Sequence, residues 1–187
     1  MNTNLPINLP TALTLLRIFM IPLMVIAHYL HYPFVAATIF GLAGLTDWAD
    51  GYYARKLNQE SRLGAFLDPV ADKLIVIVAL LLIVEREANF WITLAGIAII
   101  GREIIISALR EWMAEVGQRS KVAVAYIGKV KTTAQIIAMI FLLYNLPLFG
   151  FIPIREMGLI ALAAATALTL YSMVQYLMSA YKSSIEE

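Results

Sequence analysis

The chain has no cysteine among its 187 residues and few charged side chains. The absence of cysteine excludes disulfide bonds, thiol chemistry and zinc sites built on thiolates. Asp, Glu, Lys and Arg make up 14% of the chain, whereas a soluble domain has about 25%. No basic residue precedes Arg17, so we do not expect a cleavable signal peptide. Apolar residues make up 61% of the chain, and the net charge is +1. The mean hydropathy is +0.78. This composition is typical of an integral membrane protein.

Six apolar segments follow one another along the chain, and each approaches the ~20 residues that span a bilayer. They lie at about 11–30, 34–56, 67–85, 89–113, 124–145 and 156–181. The stretches between them are short, and the chain has no internal repeat. We therefore predict an all-α polytopic membrane protein, with a single domain over residues 1–187 that forms a bundle of six transmembrane helices. Gly41 and Gly44 are expected to let helices pack closely.

Lysine and arginine are distributed unevenly among the loops. Most of them lie in or near the second and fourth loops, whereas only Arg86 and Arg155 lie near the third and fifth. The positive-inside rule then places the second and fourth loops, and both termini, in the cytoplasm. Trp91 and Trp112 fall near opposite ends of the fourth segment, where interfacial anchors are expected.

Four aspartates interrupt the apolar pattern: Asp47, Asp50, Asp68 and Asp72. An ionisable side chain near hydrocarbon is costly and therefore indicates a functional site. The first two aspartates are three residues apart and the last two are four apart, so each pair lies on one face if its segment is helical. Four carboxylates that meet would repel one another without a cation, and Mg²⁺ prefers oxygen ligands of this kind.

The residues around the aspartates suit a ligand that contains phosphate. Gly51 and Ala54 have almost no side chain and leave room for a bulky ligand, and Arg55 lies where the second helix is expected to end. We expect Gly64 in the connecting loop. Asp68, followed by proline, is expected to cap the N-terminus of the third helix. Carboxylates beside cations suit a pyrophosphate bridged by metal ions.

The pattern Asp47-x-x-Asp50-Gly51-x-x-Ala54-Arg55, eight residues, then Gly64-x-x-x-Asp68-x-x-x-Asp72 resembles the signature of the CDP-alcohol phosphotransferases at every defining position. Residues 8–18, 68–73, 101–115 and 128–135 also resemble the bacterial members of that family whose acceptor is sn-glycerol 3-phosphate. The resemblance implies transfer of a phosphatidyl group from CDP-diacylglycerol to this acceptor, with release of CMP, in phospholipid synthesis. It further implies a homodimer in the bacterial inner membrane. The distribution of lysine and arginine places the aspartates, and with them the active site, on the cytoplasmic side.

The same resemblance implies roles for individual residues. Two divalent ions, Mg²⁺ or Mn²⁺, would be held by the four aspartates. Asp72 would also be the base that removes the proton of the acceptor hydroxyl. The residues that would contact CDP-diacylglycerol are Asp50, Gly51, Ala54, Arg55 and Gly64.

An acceptor that carries a phosphate needs cations of its own. Arg102 and Arg110 are eight residues apart, near one face of the fourth helix, and the N-terminus of the fifth helix would also favour a phosphate. The residues that we predict to bind the acceptor phosphate are Arg102, Arg110, Arg119, Lys129 and Lys131. Basic residues near loops can instead simply set membrane topology, and Arg102 could pair with Glu103, Glu111 or an aspartate.

Two other functions stay open at this point. A small cation or proton transporter also carries carboxylates inside the membrane, although transporters tend to place them near the midplane between repeated halves. A family member that uses another phosphorylated acceptor, such as inositol phosphate, is the second alternative.

Overall fold

The computed structural model describes residues 9–57, 62–115 and 126–185, and within them the side chains of residues 11–46, 66–113, 115 and 132–178. These residues form six α-helices, in agreement with the predicted all-α class. The helices are α1 (Leu9–Tyr29), α2 (Pro33–Leu57), α3 (Arg62–Glu87), α4 (Phe90–Glu115), α5 (Tyr126–Tyr144) and α6 (Ile154–Ile185).

The start of α3 differs from the prediction, because the helix begins at Arg62 rather than near residue 67. Gly64 therefore lies inside the helix, and the expectation that it lies in a connecting loop was wrong. The polar side chains of this region suggested a loop. Leucine, alanine and arginine, which make up most of residues 62–67, are nevertheless good helix formers, and they continue the helix towards its N-terminus.

Asp68 does not cap α3, contrary to the prediction, since it lies more than one turn inside the helix. Pro69 follows it there and has no N–H to donate to the carbonyl of Ala65. A long helix tolerates the loss of one backbone hydrogen bond when its packing is good, and α1 likewise contains Pro22. The carboxylate of Asp68 is therefore free of a capping role and can take part in contacts between helices.

The bundle is held together by an apolar core between the helices. α1 packs against both α2 and α3, α5 packs against α6 and α2, and α4 packs against α6 and α3. Met24, Leu80 and Leu142 are among the fully buried side chains of this core. Large apolar side chains such as Phe19 and Ile160 are exposed on the outside, where a bilayer would cover them.

Three of the described helices are long and apolar enough to cross a membrane: Thr11–Tyr29, Phe90–Met113 and Ile154–Met178. Shorter apolar stretches occupy Pro33–Thr46 in α2 and Thr132–Tyr144 in α5. The charged residues of α2, α3 and α5 interrupt their apolar runs, so the six predicted spans stay a prediction. Trp91 and Trp112 lie near opposite ends of α4 and are both exposed.

Ion pairs and hydrogen bonds connect the helices where α1, α3 and α5 end. His28 Nε2 lies 3.1 Å from Glu85 Oε2, and Arg86 donates to the carbonyls of Leu142 and Leu143. Arg155 donates to Glu87 across a distance of 2.6 Å. Asp68 and Asp72 lie near the start of α3, so they occupy the opposite end of the bundle.

Candidate active site

Asp68 and Asp72 are brought together by a buried arginine. Their spacing predicted a shared helix face, and the structure confirms it, because both carboxylates contact the same nitrogen of Arg17. Arg17 Nη1 lies 3.3 Å from Asp68 Oδ1, and it also donates to Asp72 Oδ1. The Arg17 side chain is almost fully buried, while about 40% of each carboxylate side chain is exposed. The two carboxylates therefore converge on one cationic point, with an open side left over.

Arg17 comes from α1, on the face of the helix that packs inward. Thr11 and Thr14 lie on the same face, at intervals of three residues, and both are buried. This polar face is unusual in a helix that is otherwise apolar. Arg17 on this face contacts Asp68 and Asp72 near the start of α3, so the site is built from at least two helices.

A cavity of about 310 Å³ opens beside Asp72, and we call it the first cavity. Its charged and polar lining consists of Arg17, Asp72, Lys73, Arg102, Glu103, Arg110, Thr132, Gln135 and Tyr176. Its apolar lining consists of Phe40, Ala43, Gly44, Ile75, Val76 and Ile136. The volume lies in the range of small-molecule sites.

A second cavity of about 370 Å³ adjoins the first. Asp72, Lys73, Arg102, Glu103 and Arg110 line both cavities, whereas Asp68 and Ser107 line only the second. The carboxylate of Asp72 is therefore accessible from two connected spaces. Such an arrangement allows two ligands to meet at one carboxylate.

Arg102 and Arg110 both line these cavities, and a tyrosine lies between them. The guanidinium carbon of Arg102 is 5.9 Å from the centre of the Tyr176 ring, and that of Arg110 is 5.6 Å from it. Arg110 Nη2 also donates to the Tyr176 hydroxyl at 3.5 Å. Because the ring face attracts cations, Tyr176 helps to hold two like charges near each other. It is only 8% exposed.

Two further contacts fix charged side chains at the site. Arg102 Nη1 lies 2.8 Å from Glu103 Oε1. Glu103 is one of the alternative partners that the sequence suggested for Arg102, and the structure contains this pair. Arg102 lines the cavity while it makes this pair. Lys73 donates to Ser107 on α4, which connects α3 to α4 beside Asp72.

Gly64 lies in the first turn of α3, and the remaining predicted site residues lie outside the described side chains. The donor residues predicted on α2 are carried by one continuous helix that ends at Leu57, and Lys129 and Lys131 lie near the start of α5. Arg119 is outside the described residues altogether. The described side chains include no group of three acidic or histidine residues that could hold a metal ion, and the meeting of all four aspartates stays a prediction.

Sequence reasoning did not assign Arg17, Gln135 or Tyr176 to the site. Arg17 and Gln135 fall within segments 8–18 and 128–135, so the family resemblance could have pointed to them. No local pattern pointed to Tyr176, because it lies on α6, 66 positions after its partner Arg110.

Comparison with known proteins identifies a family and several relatives for this chain. A model of the CDP-alcohol phosphatidyltransferase family matches residues 7–173. A CDP-diacylglycerol–glycerol-3-phosphate 3-phosphatidyltransferase of Salmonella choleraesuis is 51% identical over 176 residues, which cover 92% of this chain and 94% of the relative. Proteins of the same name from Shigella flexneri and Escherichia coli K12 are each 49% identical over 183 residues, which cover 96% of this chain and 98% of each relative.

Proposed function

The chain belongs to the CDP-alcohol phosphatidyltransferase family, and from this premise we propose that it transfers a phosphatidyl group from CDP-diacylglycerol to sn-glycerol 3-phosphate and releases CMP. Relatives about half identical over nearly the whole chain carry the name of this reaction. The observation that carries the proposal is one cavity that contains Asp72 together with Arg102 and Arg110. A base for the acceptor hydroxyl and cations for the acceptor phosphate are thus neighbours.

The charge of the first cavity favours an acceptor that carries a phosphate. Arg102 and Arg110 present guanidinium groups, which bind phosphate oxygens in a bidentate manner. Lys73 adds a third cation, while Glu103 neutralises part of the charge of Arg102. An acceptor without a phosphate, such as serine or choline, would not need so many cations. Arg119, Lys129 and Lys131 belong to the same proposal, as further contacts of the acceptor phosphate.

Asp72 is the proposed general base. A carboxylate within hydrogen-bond reach of the acceptor hydroxyl can remove its proton as the new bond forms. The contact with Arg17 fixes the direction of the Asp72 oxygens. The acceptor oxygen then forms a bond to the phosphorus on the lipid side, the bond from that phosphorus to the CMP oxygen breaks, and CMP leaves.

Two divalent ions, Mg²⁺ or Mn²⁺, fit the carboxylates that are described. Asp68 and Asp72 already direct oxygens to one cationic group, and hard divalent cations prefer such oxygen donors. Asp68 and Asp72 would hold the ions together with Asp47 and Asp50 of α2. When bound, the ions would neutralise charge on the pyrophosphate of the donor.

The helices and the family membership make this a membrane protein. We place it in the bacterial inner membrane as a homodimer, with one membrane domain over residues 1–187. The donor would lie along Asp50, Gly51, Ala54, Arg55 and Gly64. The site would face the cytoplasm, because a soluble acceptor and CMP must enter and leave there.

The proposal is tested with purified protein in detergent, CDP-diacylglycerol and a panel of acceptors: sn-glycerol 3-phosphate, inositol phosphate, glycerol and serine. We expect CMP release with glycerol 3-phosphate and little with the other acceptors. Chelation of divalent ions should abolish this release, and Mg²⁺ or Mn²⁺ should restore it. Asp72→Asn should lower kcat by about a hundredfold or more, in the range of a lost general base.

Glu85→Gln is the matched control, because it changes a carboxylate at the opposite end of the bundle. It should leave kcat nearly unchanged. Undiminished turnover by Asp72→Asn, or equal CMP release with glycerol and glycerol 3-phosphate, would contradict the proposal.

A further inference from the structure

Gln135 is a buried polar side chain in the wall of the first cavity. It lies on α5, about one turn after Thr132, and only 5% of it is exposed. Both residues line the cavity. Within the described ranges, no hydrogen bond joins the Gln135 amide to another side chain or to the backbone.

Gln135 shares the first cavity with apolar side chains of two other helices. Phe40 and Ala43 of α2, and Ile75 and Val76 of α3, line the same cavity. Most of the Gln135 side chain is buried, but its amide is not among the fully enclosed polar groups that lack a partner. The amide therefore opens into the cavity, where it has no partner within the described residues. An amide that opens into a cavity and has no partner in the protein is typical of a ligand site, because the ligand can supply the missing partner.

We propose that the Gln135 amide hydrogen-bonds the central hydroxyl of the acceptor and thereby selects glycerol 3-phosphate over acceptors that lack this hydroxyl. This inference rests on the proposed function. It adds a residue that determines specificity to a site whose phosphate-binding and base groups are already accounted for.

The chemistry of the acceptor leaves one group for Gln135. In the proposed function, Arg102 and Arg110 bind the phosphate at one end of the acceptor, and Asp72 binds the terminal hydroxyl at its other end. The central hydroxyl lies between these two groups, so it must face a wall of the same cavity. Gln135 is a lining residue with both a donor and an acceptor on its side chain, and a hydroxyl can pair with either.

A purely structural role for Gln135 makes a different prediction. A glutamine that stabilises the fold through hydrogen bonds would lower the unfolding temperature when it is replaced by an apolar residue. If the Gln135 amide instead serves only to bind a ligand, the replacement should not lower the unfolding temperature. An apolar side chain of the same length then removes a polar group that has no partner in the protein. The stability of the protein without acceptor therefore separates the two roles.

The experiment compares glycerol 3-phosphate with 3-hydroxypropyl phosphate, which keeps the terminal hydroxyl and the phosphate but lacks the central hydroxyl. We expect the wild-type kcat/KM to favour glycerol 3-phosphate by about ten- to a hundredfold, as for a buried group left without its partner. Gln135→Met should bring this ratio close to one. It should do so by weakening turnover of glycerol 3-phosphate, with the KM for CDP-diacylglycerol unchanged.

Gln175→Met is the matched control, because Gln175 is an exposed amide on α6 that donates to Tyr171. It should keep the wild-type ratio. The unfolding temperature of Gln135→Met without acceptor should equal or exceed that of the wild type, and its rise on addition of glycerol 3-phosphate should be smaller. Gln135→Leu serves the same comparison if Gln135→Met is not recovered in folded form.

The inference is overturned if Gln135→Met keeps the wild-type ratio, or if the wild type does not discriminate between the two acceptors. A lower unfolding temperature together with an unchanged ratio would assign Gln135 a structural role. These outcomes are distinct from failure of the proposed function, which would appear as a wild-type protein that releases no CMP with glycerol 3-phosphate.

Discussion

Arg17 is the only lysine or arginine of α1, and it contacts both carboxylates of the α3 pair. A metal ion and this guanidinium would compete for the same oxygens. Each can neutralise the repulsion between Asp68 and Asp72, so either one can compensate for the loss of the other. The stability of the protein should therefore depend on metal more strongly when Arg17 is absent.

Arg17→Met should destabilise the metal-free protein by roughly 1–3 kcal/mol. This is less than the 3–5 kcal/mol typical of a fully buried pair that loses one partner, since the two carboxylates are 40% exposed. Saturating Mg²⁺ should recover part of this loss, because ions that bind the folded state stabilise it. Thermal unfolding in detergent, with and without Mg²⁺, measures the difference.

Arg155→Met provides the comparison for Arg17→Met. It removes an ion pair with Glu87 at the opposite end of the bundle, where no aspartate pair is present in the described residues. Mg²⁺ should not restore the stability that the Arg155→Met protein loses. An equal response of both variants to Mg²⁺ would contradict competition between Arg17 and the ion.

Sequence spacing predicted the residues that share one helix, and it could not predict partners on other helices. The i, i+4 spacing placed Asp68 and Asp72 together, and charge pointed to Arg102 and Arg110. The partner of the aspartates is 51 and 55 positions away, and Tyr176 is similarly remote from Arg110. Such contacts depend on how α1 and α6 pack, which no local periodicity specifies.

At the scale of the helix, hydropathy predicted that all six helices exist but not how closely they pack. Gly44 was expected to bring helices together, yet a Cβ there would meet no described atom within 4 Å, and Gly44 instead lines the first cavity. Gly158, which the sequence did not single out, provides the closest contact of the described glycines. A Cβ at Gly158 would lie 2.9 Å from Leu142 Cγ and 3.1 Å from Phe141 Cβ.

Gly158→Ala should therefore destabilise the packing of α6 on α5. Overpacking costs about 1–3 kcal/mol, whereas the higher helix propensity of alanine returns up to about 1 kcal/mol. The free energy of unfolding should therefore fall by about 1 kcal/mol, because Leu142 is fully buried and cannot move aside freely. The unfolding temperature in detergent measures it.

Gly101→Ala isolates the propensity contribution on α4. A Cβ at Gly101 meets no described atom within 4 Å, so only helix propensity should change. This variant should be as stable as the wild type or slightly more stable. A stable Gly158→Ala protein would show that α5 and α6 can separate at no cost, and would refute the close contact.

At the scale of the whole molecule, the two ends of the bundle differ in chemistry. One end holds the aspartates and arginines of the site, and the other end holds the paired charges of His28, Glu85, Glu87 and Arg155. The sequence predicted this difference through the distribution of lysine and arginine. The proposed direction of insertion rests on the same distribution.

Single cysteines can test the orientation, because the chain has none of its own. Ala88→Cys and Phe149→Cys lie in exposed turns after α3 and α5, and we expect both to react with an impermeant thiol reagent added to intact cells. Glu115→Cys, exposed at the end of α4, should react only after the cells are opened. Labelling of Glu115→Cys in intact cells would reverse the proposed orientation.

The buried contact between α1 and α3 also affects how the chain enters the bilayer during synthesis. A guanidinium in an inserting helix is unfavourable, and on insertion scales the penalty reaches about 2.5–3.5 kcal/mol at the helix centre. Arg17 lies in the first half of α1, so its penalty should be smaller than this value. The carboxylates that offset the charge of Arg17 are translated more than fifty residues later. The first helix therefore cannot reach its final environment alone. We therefore expect α1 to reach its final packing only after α3 has entered the bilayer and supplied Asp68 and Asp72.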